Sequence, residues 1–350
     1  MSLVIPPPKR VRMDDMPSIH PNAAGMDIGA RAIVVAVPPE RDPEPVRVCE
    51  TFTPDLHALV DWLLQCGIDT VVMASTGVYW VPVFELLEQR GIQPYLVNAR
   101  HVKTVPGRKS DWNDAQWLQK LHALGLLQGS FRPDAEMGIL RTLLRHRATL
   151  MAPRAPHILH MHKALKLMNL QVSAVLTDMT GVTGQAILRA IVHGARDPLR
   201  LAQLRTAACK SSADVMAKAL TGTWRDEQVF MLTQALEFFD FSTRQIAACD
   251  AQIERQCAAM KPRFTSDEPS MPLPRVKPGS KSKHQPSYNA RTYLMRLTGV
   301  DLVAVTGLSA SIAQTILAEV GTDRGKFPTV KHCCSWLGLA PHNDISGGRV

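Results

Sequence analysis

The spacing of hydrophobic positions changes along the chain, and the change divides it. Between residues 25 and 97, short apolar runs alternate with stretches of helical period. Ala32–Val37 is a β-rich run just after Gly25-Met26-Asp27-Ile28-Gly29, and Val46–Phe52, Thr70–Met73 and Gln93–Val97 read as further strands. Pro54 opens a helix with apolar residues at Leu56, Leu59, Leu63 and Leu64; Pro82–Arg90 reads as a second helix, closed by Gly91. A third starts at Lys109-Ser110-Asp111-Trp112-Asn113-Asp114, with Ser110 or Asp111 as N-cap and Trp117, Leu118, Leu121 and Leu124 as its apolar positions. Strands alternating with helices predict an α/β domain with a mixed or parallel sheet over residues 23–130.

From Met137 to Met260 the pattern is helical only, as at Ile139/Leu143/Leu144, Ile187/Leu188/Ile191 and Val229/Leu232/Leu236. This predicts a helical arm with coiled-coil potential over 131–260, a spacer or dimerisation element. Pro153 and Pro156 fall where the period would continue one long helix, and each should kink or end it. Residues 1–22 are rich in proline and charge and read as a disordered basic leader. Residues 261–290, dense in proline, serine and lysine, read as a linker. A smaller, mostly helical domain follows over 291–350. In it, Val305-Thr306-Gly307-Leu308-Ser309 before the helix Ala310–Val320 suggests a helix–hairpin–helix or, equally, an ordinary helical hairpin.

Charge narrows the partner class. Over 350 residues the formal net charge is +9, which favours an anionic partner, nucleic acid foremost. The seven cysteines form no C-x-x-C pair, which argues against a zinc ribbon or a disulfide framework and for a reducing cytosol. No apolar run has transmembrane length and no signal peptide is evident, so a soluble, cytoplasmic protein without a membrane partner is expected.

Four stretches could carry chemistry. Asp111 and Asp114 are three residues apart on one helix face, where two carboxylates repel unless a cation lies between them. Alone, such a pair most often marks a capped, solvated helix start. Asp27 precedes a glycine and a strand, a pattern shared by ribonuclease-H-like nucleases and actin-like ATPases, and also by simple turns. The Val71–Trp80 stretch runs from a strand into a small-residue turn, with Ala74 where a third acid would be sought and Tyr79-Trp80 expected to pack. Ser346 precedes Gly347 and Gly348 and, alone, reads as a turn serine.

Together, Met26–Gly29, Met73–Trp80, Lys109–Ala115 and the Gly338–Gly348 loop resemble the DEDD transposases of bacterial insertion sequences. That family includes the Piv/MooV DNA invertases and the bridge-RNA-guided recombinases. The resemblance runs from Gly25 to Val350 and includes Thr180–Gly184 and His193–Pro198. It implies a RuvC-like (ribonuclease-H-like) domain whose acids fall on Asp27, position 74, Asp111 and Asp114 and hold Mg²⁺ or Mn²⁺. It also implies a C-terminal transposase domain in which Ser346 is the nucleophile. Implied partners are DNA (element ends and target), a structured guide RNA from the element, and further copies of the chain in a homodimer or homotetramer at the prokaryotic nucleoid. Arg100, Lys103, Arg108 and Lys109 near the acids, and Arg141, Arg145 and Arg147 on the arm, are the candidate nucleic-acid contacts.

Two departures bear on activity. The family has glutamate where this chain has Ala74, and its members continue past the serine loop, so an impaired and shortened chain is expected. The alternatives are a catalytically inactive copy that still binds RNA or DNA, and a Holliday-junction resolvase-like metal nuclease with no covalent serine.

Overall fold

A computed structural model describes residues 16–75, 77–98, 111–127, 129–132, 134–262 and 285–339, with the side chains of 111–113 and 324 outside that description. It forms two compact units, divided between Arg132 and Pro133.

In the first unit the short apolar runs become β1 (Ala23–Ile28), β2 (Ala32–Ala36), β3 (Val46–Glu50), β4 (Thr70–Ser75) and β5 (Gln93–Val97). They form one sheet in the order β3-β2-β1-β4-β5. The β1–β2 and β2–β3 pairs are antiparallel; β1–β4 and β4–β5 are parallel. The stretch beginning at Gly25 is thus itself the central strand, entered at Ala23. Helices α1 (Thr53–Gln65) and α2 (Val81–Gln89), each with proline in its first turn, connect β3 to β4 and β4 to β5. Alternate residues point to opposite faces of a strand. Met26, Ile28, Ile33, Val35, Val71 and Met73 pack with Leu59, Leu63, Phe84 and Leu87 of α1 and α2 on one face. The other face is covered by α3 (Asp111–Ala123), through Leu118 against Val72, Ala74 and Val97 and through Ala115 against Val34 and Ala36.

Gly25 sets how closely α3 approaches. A Cβ on this residue would lie 2.3 Å from the Ala115 carbonyl oxygen and 2.4 Å from the Gln119 nitrogen, both backbone atoms that cannot swing away. Gly25→Ala is expected to cost about 2–3 kcal/mol by forcing helix and strand apart, read as a lower urea midpoint.

The far end of α3 is tied to residues 19 and 20, within the stretch read from the sequence as a disordered leader. Ile19 and His20 donate backbone N–H groups to the Ala123 carbonyl at 2.8 and 2.9 Å. His122 is buried, stacked on His20 with ring centroids 5.0 Å apart. Thr70 Oγ1 donates its one proton to the Gln93 carbonyl at 3.1 Å, so it accepts from His122 Nε2 at 2.9 Å. Burial, and then the neighbouring His20, push the His122 pKa down to about 4. The unfolded chain takes up this proton below about pH 6.5, whereas the folded chain holds the ring neutral until about pH 4. Stability is therefore complete above the unfolded value and falls as the pH drops, by about 3 kcal/mol at pH 4. Urea unfolding across this range should show the loss, and His122→Gln should flatten that part of the profile.

The second unit is helical throughout its described residues. Helices α4 (Ala135–Met151), α5 (Arg154–Leu167), α6 (Val172–Val175), α7 (Val182–Val192), α8 (Pro198–Ala202) and α9 (Ala213–Ala219) precede the 34-residue α10 (Asp226–Ala259). After it come α11 (Ala290–Thr298), α12 (Ala310–Val320) and α13 (Val330–Trp336). The prolines act as their chemistry requires: α4 stops at Met151, Pro153 caps α5, and Pro156 lies in the first turn of α5. Helix α10 serves two cores. Its Leu232, Leu236 and Phe239 join α5, α7 and α9; its Cys249, Ile253 and Cys257 join α4, α11 and α12.

Candidate active site

The parallel β1–β4 register sets Asp27 directly beside Ala74, with Ile28 beside Ser75 one step on. Both pairs lie at the C-terminal ends of these strands, where open α/β sheets place their sites. Asp27 is two residues from Gly25 and so shares the face that α3 covers. Helix α3 runs against β1 and β4. Its His122 meets Thr70 at the start of β4, and its Ala115 crosses Gly25 in the middle of β1. Its first turn, carrying Asp111 and Asp114, therefore comes to the end of the sheet that holds Asp27 and Ala74. Among the described residues this helix runs from Asp111 onward.

The donor set at this corner suits a hard divalent cation but is poor at one position. Asp27 and Asp114 are half-buried carboxylates, whereas Ala74 presents a methyl group packed with Val72, Val97 and Leu118. Among the described residues no group of three or more His, Cys, Asp or Glu side chains is placed to hold a metal ion.

Two residues at the same end of the sheet were missed in the sequence. Arg31 is exposed in the turn from β1 to β2, where the Gly29 N–H donates to the Ala32 carbonyl at 2.9 Å. Tyr79 follows β4 in a turn that Gly77 enters at φ 72°. The expectation that Tyr79 and Trp80 both pack divides between them. Trp80 packs edge-on against Phe84 with ring centroids 5.3 Å apart, while Tyr79 is 47% exposed. Both Arg31 and Tyr79 could have been sought from position alone, since each lies in the turn that follows a strand ending at the acid site.

The basic candidates separate. Arg100, Lys103, Arg108 and Lys109 lie outside the described residues, as does Ser346. Arg141 and Arg145 both reach Glu319 of α12, Arg145 through bonds of 2.9 and 3.0 Å. Partial burial works against the Glu319 charge, but the hydrogen bonds from Arg145 and Arg141 outweigh it and hold the carboxyl below its ordinary pKa. Arg147 is different, because it is buried and paired with the buried Asp250 of α10. Its guanidinium is committed inside the helical unit and is a structural ion pair rather than a phosphate contact.

The five-stranded mixed sheet with its flanking helices fits a ribonuclease-H-like DEDD domain. Two family models match the chain: a DEDD transposase model of the IS110 type over residues 24–170, and the transposase IS116/IS110/IS902 family over residues 301–350. The chain belongs to the IS110 family of DEDD transposases, a class of DNA-processing enzymes. No curated protein matches it. No helix among the described residues is long and apolar enough to cross a membrane.

Proposed function

We propose that the protein is a recombinase of an insertion sequence, cutting and rejoining DNA at the corner where β1, β4 and α3 meet. The observation that carries this reading is the in-register pairing of Asp27 with position 74 at the strand ends to which the first turn of α3 returns. Asp27, Asp111 and Asp114 would hold Mg²⁺ or Mn²⁺, which when bound polarises phosphate oxygens and favours the departing one. Ser346 is the nucleophile on this reading. Its Oγ gives up its proton and bonds to a DNA phosphorus as the bond from that phosphorus to one deoxyribose oxygen breaks, that oxygen leaving as a hydroxyl. The resulting phosphoserine keeps the bond energy for rejoining, when the hydroxyl attacks and Ser346 leaves. A structured RNA from the element directs the choice of DNA, and the net charge of +9 suits both polyanions. Arg31, and Arg100, Lys103, Arg108 and Lys109 just before Asp111 in the sequence, are the phosphate contacts on this reading. The helix–hairpin–helix reading of the turn before α12 belongs to the same proposal.

Ala74 favours a second reading for this particular chain, that of a nucleic-acid-binding copy with little turnover. The test is nicking of supercoiled DNA carrying the element ends, in the presence of Mn²⁺. On the main reading the Ala74→Glu chain nicks, Ser346→Ala in that background does not, and the denatured reaction holds protein joined to DNA. DNA binding with no nicking by any of these chains supports the second reading.

A further inference from the structure

We propose that Tyr79, with Val78 beside it, is a stacking platform for an unpaired base of the DNA strand next to the acidic corner. The proposal rests on the reading that this corner acts on DNA. It adds the form of the substrate: DNA that is locally single-stranded where it meets β4.

The turn that follows β4 is built unlike a core connection. Val78 and Tyr79 are 72% and 47% exposed, two large apolar surfaces side by side at the end of the sheet where Asp27 and position 74 lie. The Tyr79 hydroxyl has no hydrogen-bond partner among the described residues, so neither burial nor polar bonding accounts for the position of the ring. The turn itself is fixed. The Val81 N–H donates to the Val78 carbonyl at 3.1 Å, and Gly77 takes the left-handed φ of 72° that other residues rarely adopt. The Tyr79 ring edge comes within 4.0 Å of where a Gly77 side chain would begin, so it lies back over the bare glycine. Trp80, the residue after Tyr79, packs against Phe84, and the Arg132 guanidinium covers that Phe84 ring at 4.3 Å.

A fixed, exposed aromatic face beside a carboxylate site matches a nucleobase better than it matches a phosphate. Any base can stack on an aromatic ring, so such a contact adds affinity without reading sequence. Paired bases are stacked inside their own helix and present only their edges. The contact is therefore open to an unpaired base. Arg31, exposed at the neighbouring strand end and in no ion pair among the described residues, offers a phosphate contact of the ordinary salt-sensitive kind. The two residues should thus act through different physics.

The experiment uses the full chain with a mixed-sequence single-stranded oligonucleotide carrying a fluorescent adenine analogue, and with the same sequence as a duplex. The native chain should quench the single-stranded probe on binding. Tyr79→Ala should abolish the quenching and weaken single-strand binding by about tenfold to a hundredfold, with duplex affinity and the salt slope unchanged. Tyr79→Phe should restore quenching and affinity, since stacking needs no hydroxyl. Arg31→Ala should weaken both forms and reduce the salt slope. The proposal is overturned if Tyr79→Ala binds the single strand as tightly as the native chain, or if Tyr79→Phe fails to restore binding; the DNA reading itself survives either result. Absence of binding to both forms by the native chain overturns the platform and the proposed function together.

Discussion

Arg147→Ala is expected to destabilise the protein by about 3–5 kcal/mol, the cost of leaving one partner of a buried ion pair behind. The Arg147 and Asp250 side chains are only 9% and 3% exposed, so water does not replace the lost cation. Arg147 Nε bonds to Asp250 Oδ1, and Asp250 Oδ2 also accepts the Ser287 backbone N–H at 2.9 Å. The pair therefore ties α4 and α10 to the segment entering α11. Replacing both partners, as Arg147→Met with Asp250→Leu, should recover most of the loss, because an apolar pair of similar volume avoids the cost of stripping water from the charges. Arg145→Ala should cost less than about 1 kcal/mol, since its side chain is 63% exposed. Urea denaturation of the four chains gives the comparison. A stable Arg147→Ala protein whose DNA affinity alone has fallen would return this arginine to the phosphate contacts.

The second large effect concerns Ala74. On the proposed reading, Ala74→Glu should raise Mn²⁺ affinity by at least about a hundredfold, since even residues that only orient metal ligands are worth about 10–100-fold. The same substitution should weaken the protein when no metal is present. Position 74 is 6% exposed and packed with Val72, Val97 and Leu118, so a carboxylate placed there without a partner costs about 1–3 kcal/mol. Added Mn²⁺ should then restore the melting temperature, because ligand at about 100 times its Kd stabilises by about 2.7 kcal/mol. The native chain should show neither the loss nor the recovery. An Ala74→Glu chain that melts at the same temperature with and without Mn²⁺ would count against a metal site at this corner.

The strands were legible because each is a short apolar run bounded by turn residues, and β5 matches its predicted span, Gln93–Val97, at both ends. The helical period of α1 placed Leu56, Leu59 and Leu63 correctly in the core, whereas Leu64, also expected there, is exposed and Val60 and Trp62 are buried beside them. Register was not. That Asp27 lies beside position 74 depends on how β1 and β4 slide past each other, and no local pattern fixes that offset. The close crossing of α3 over Gly25 was equally hidden, because it is a contact between backbones. The burial of Arg147 could have been foreseen. It falls at helical spacing from the buried Met137 and Leu140, whereas Arg141 and Arg145 lie four apart on the side that meets Glu319. His122 follows the same logic, four residues beyond the buried Leu118. Of the three arginines expected as contacts on this helix, Arg147 is buried against Asp250, and Arg141 and Arg145 meet Glu319.

The most direct test of the acidic corner is a calorimetric Mn²⁺ titration of three chains: native, Ala74→Glu, and Ala74→Glu combined with Asp27→Asn. The expected result is weak binding by the native chain, tight binding by Ala74→Glu, and loss of that gain when Asp27 is neutralised, because the two positions would face the same ion from neighbouring strands. Tight binding that persists without the Asp27 carboxylate, or no gain from Ala74→Glu at all, would contradict it.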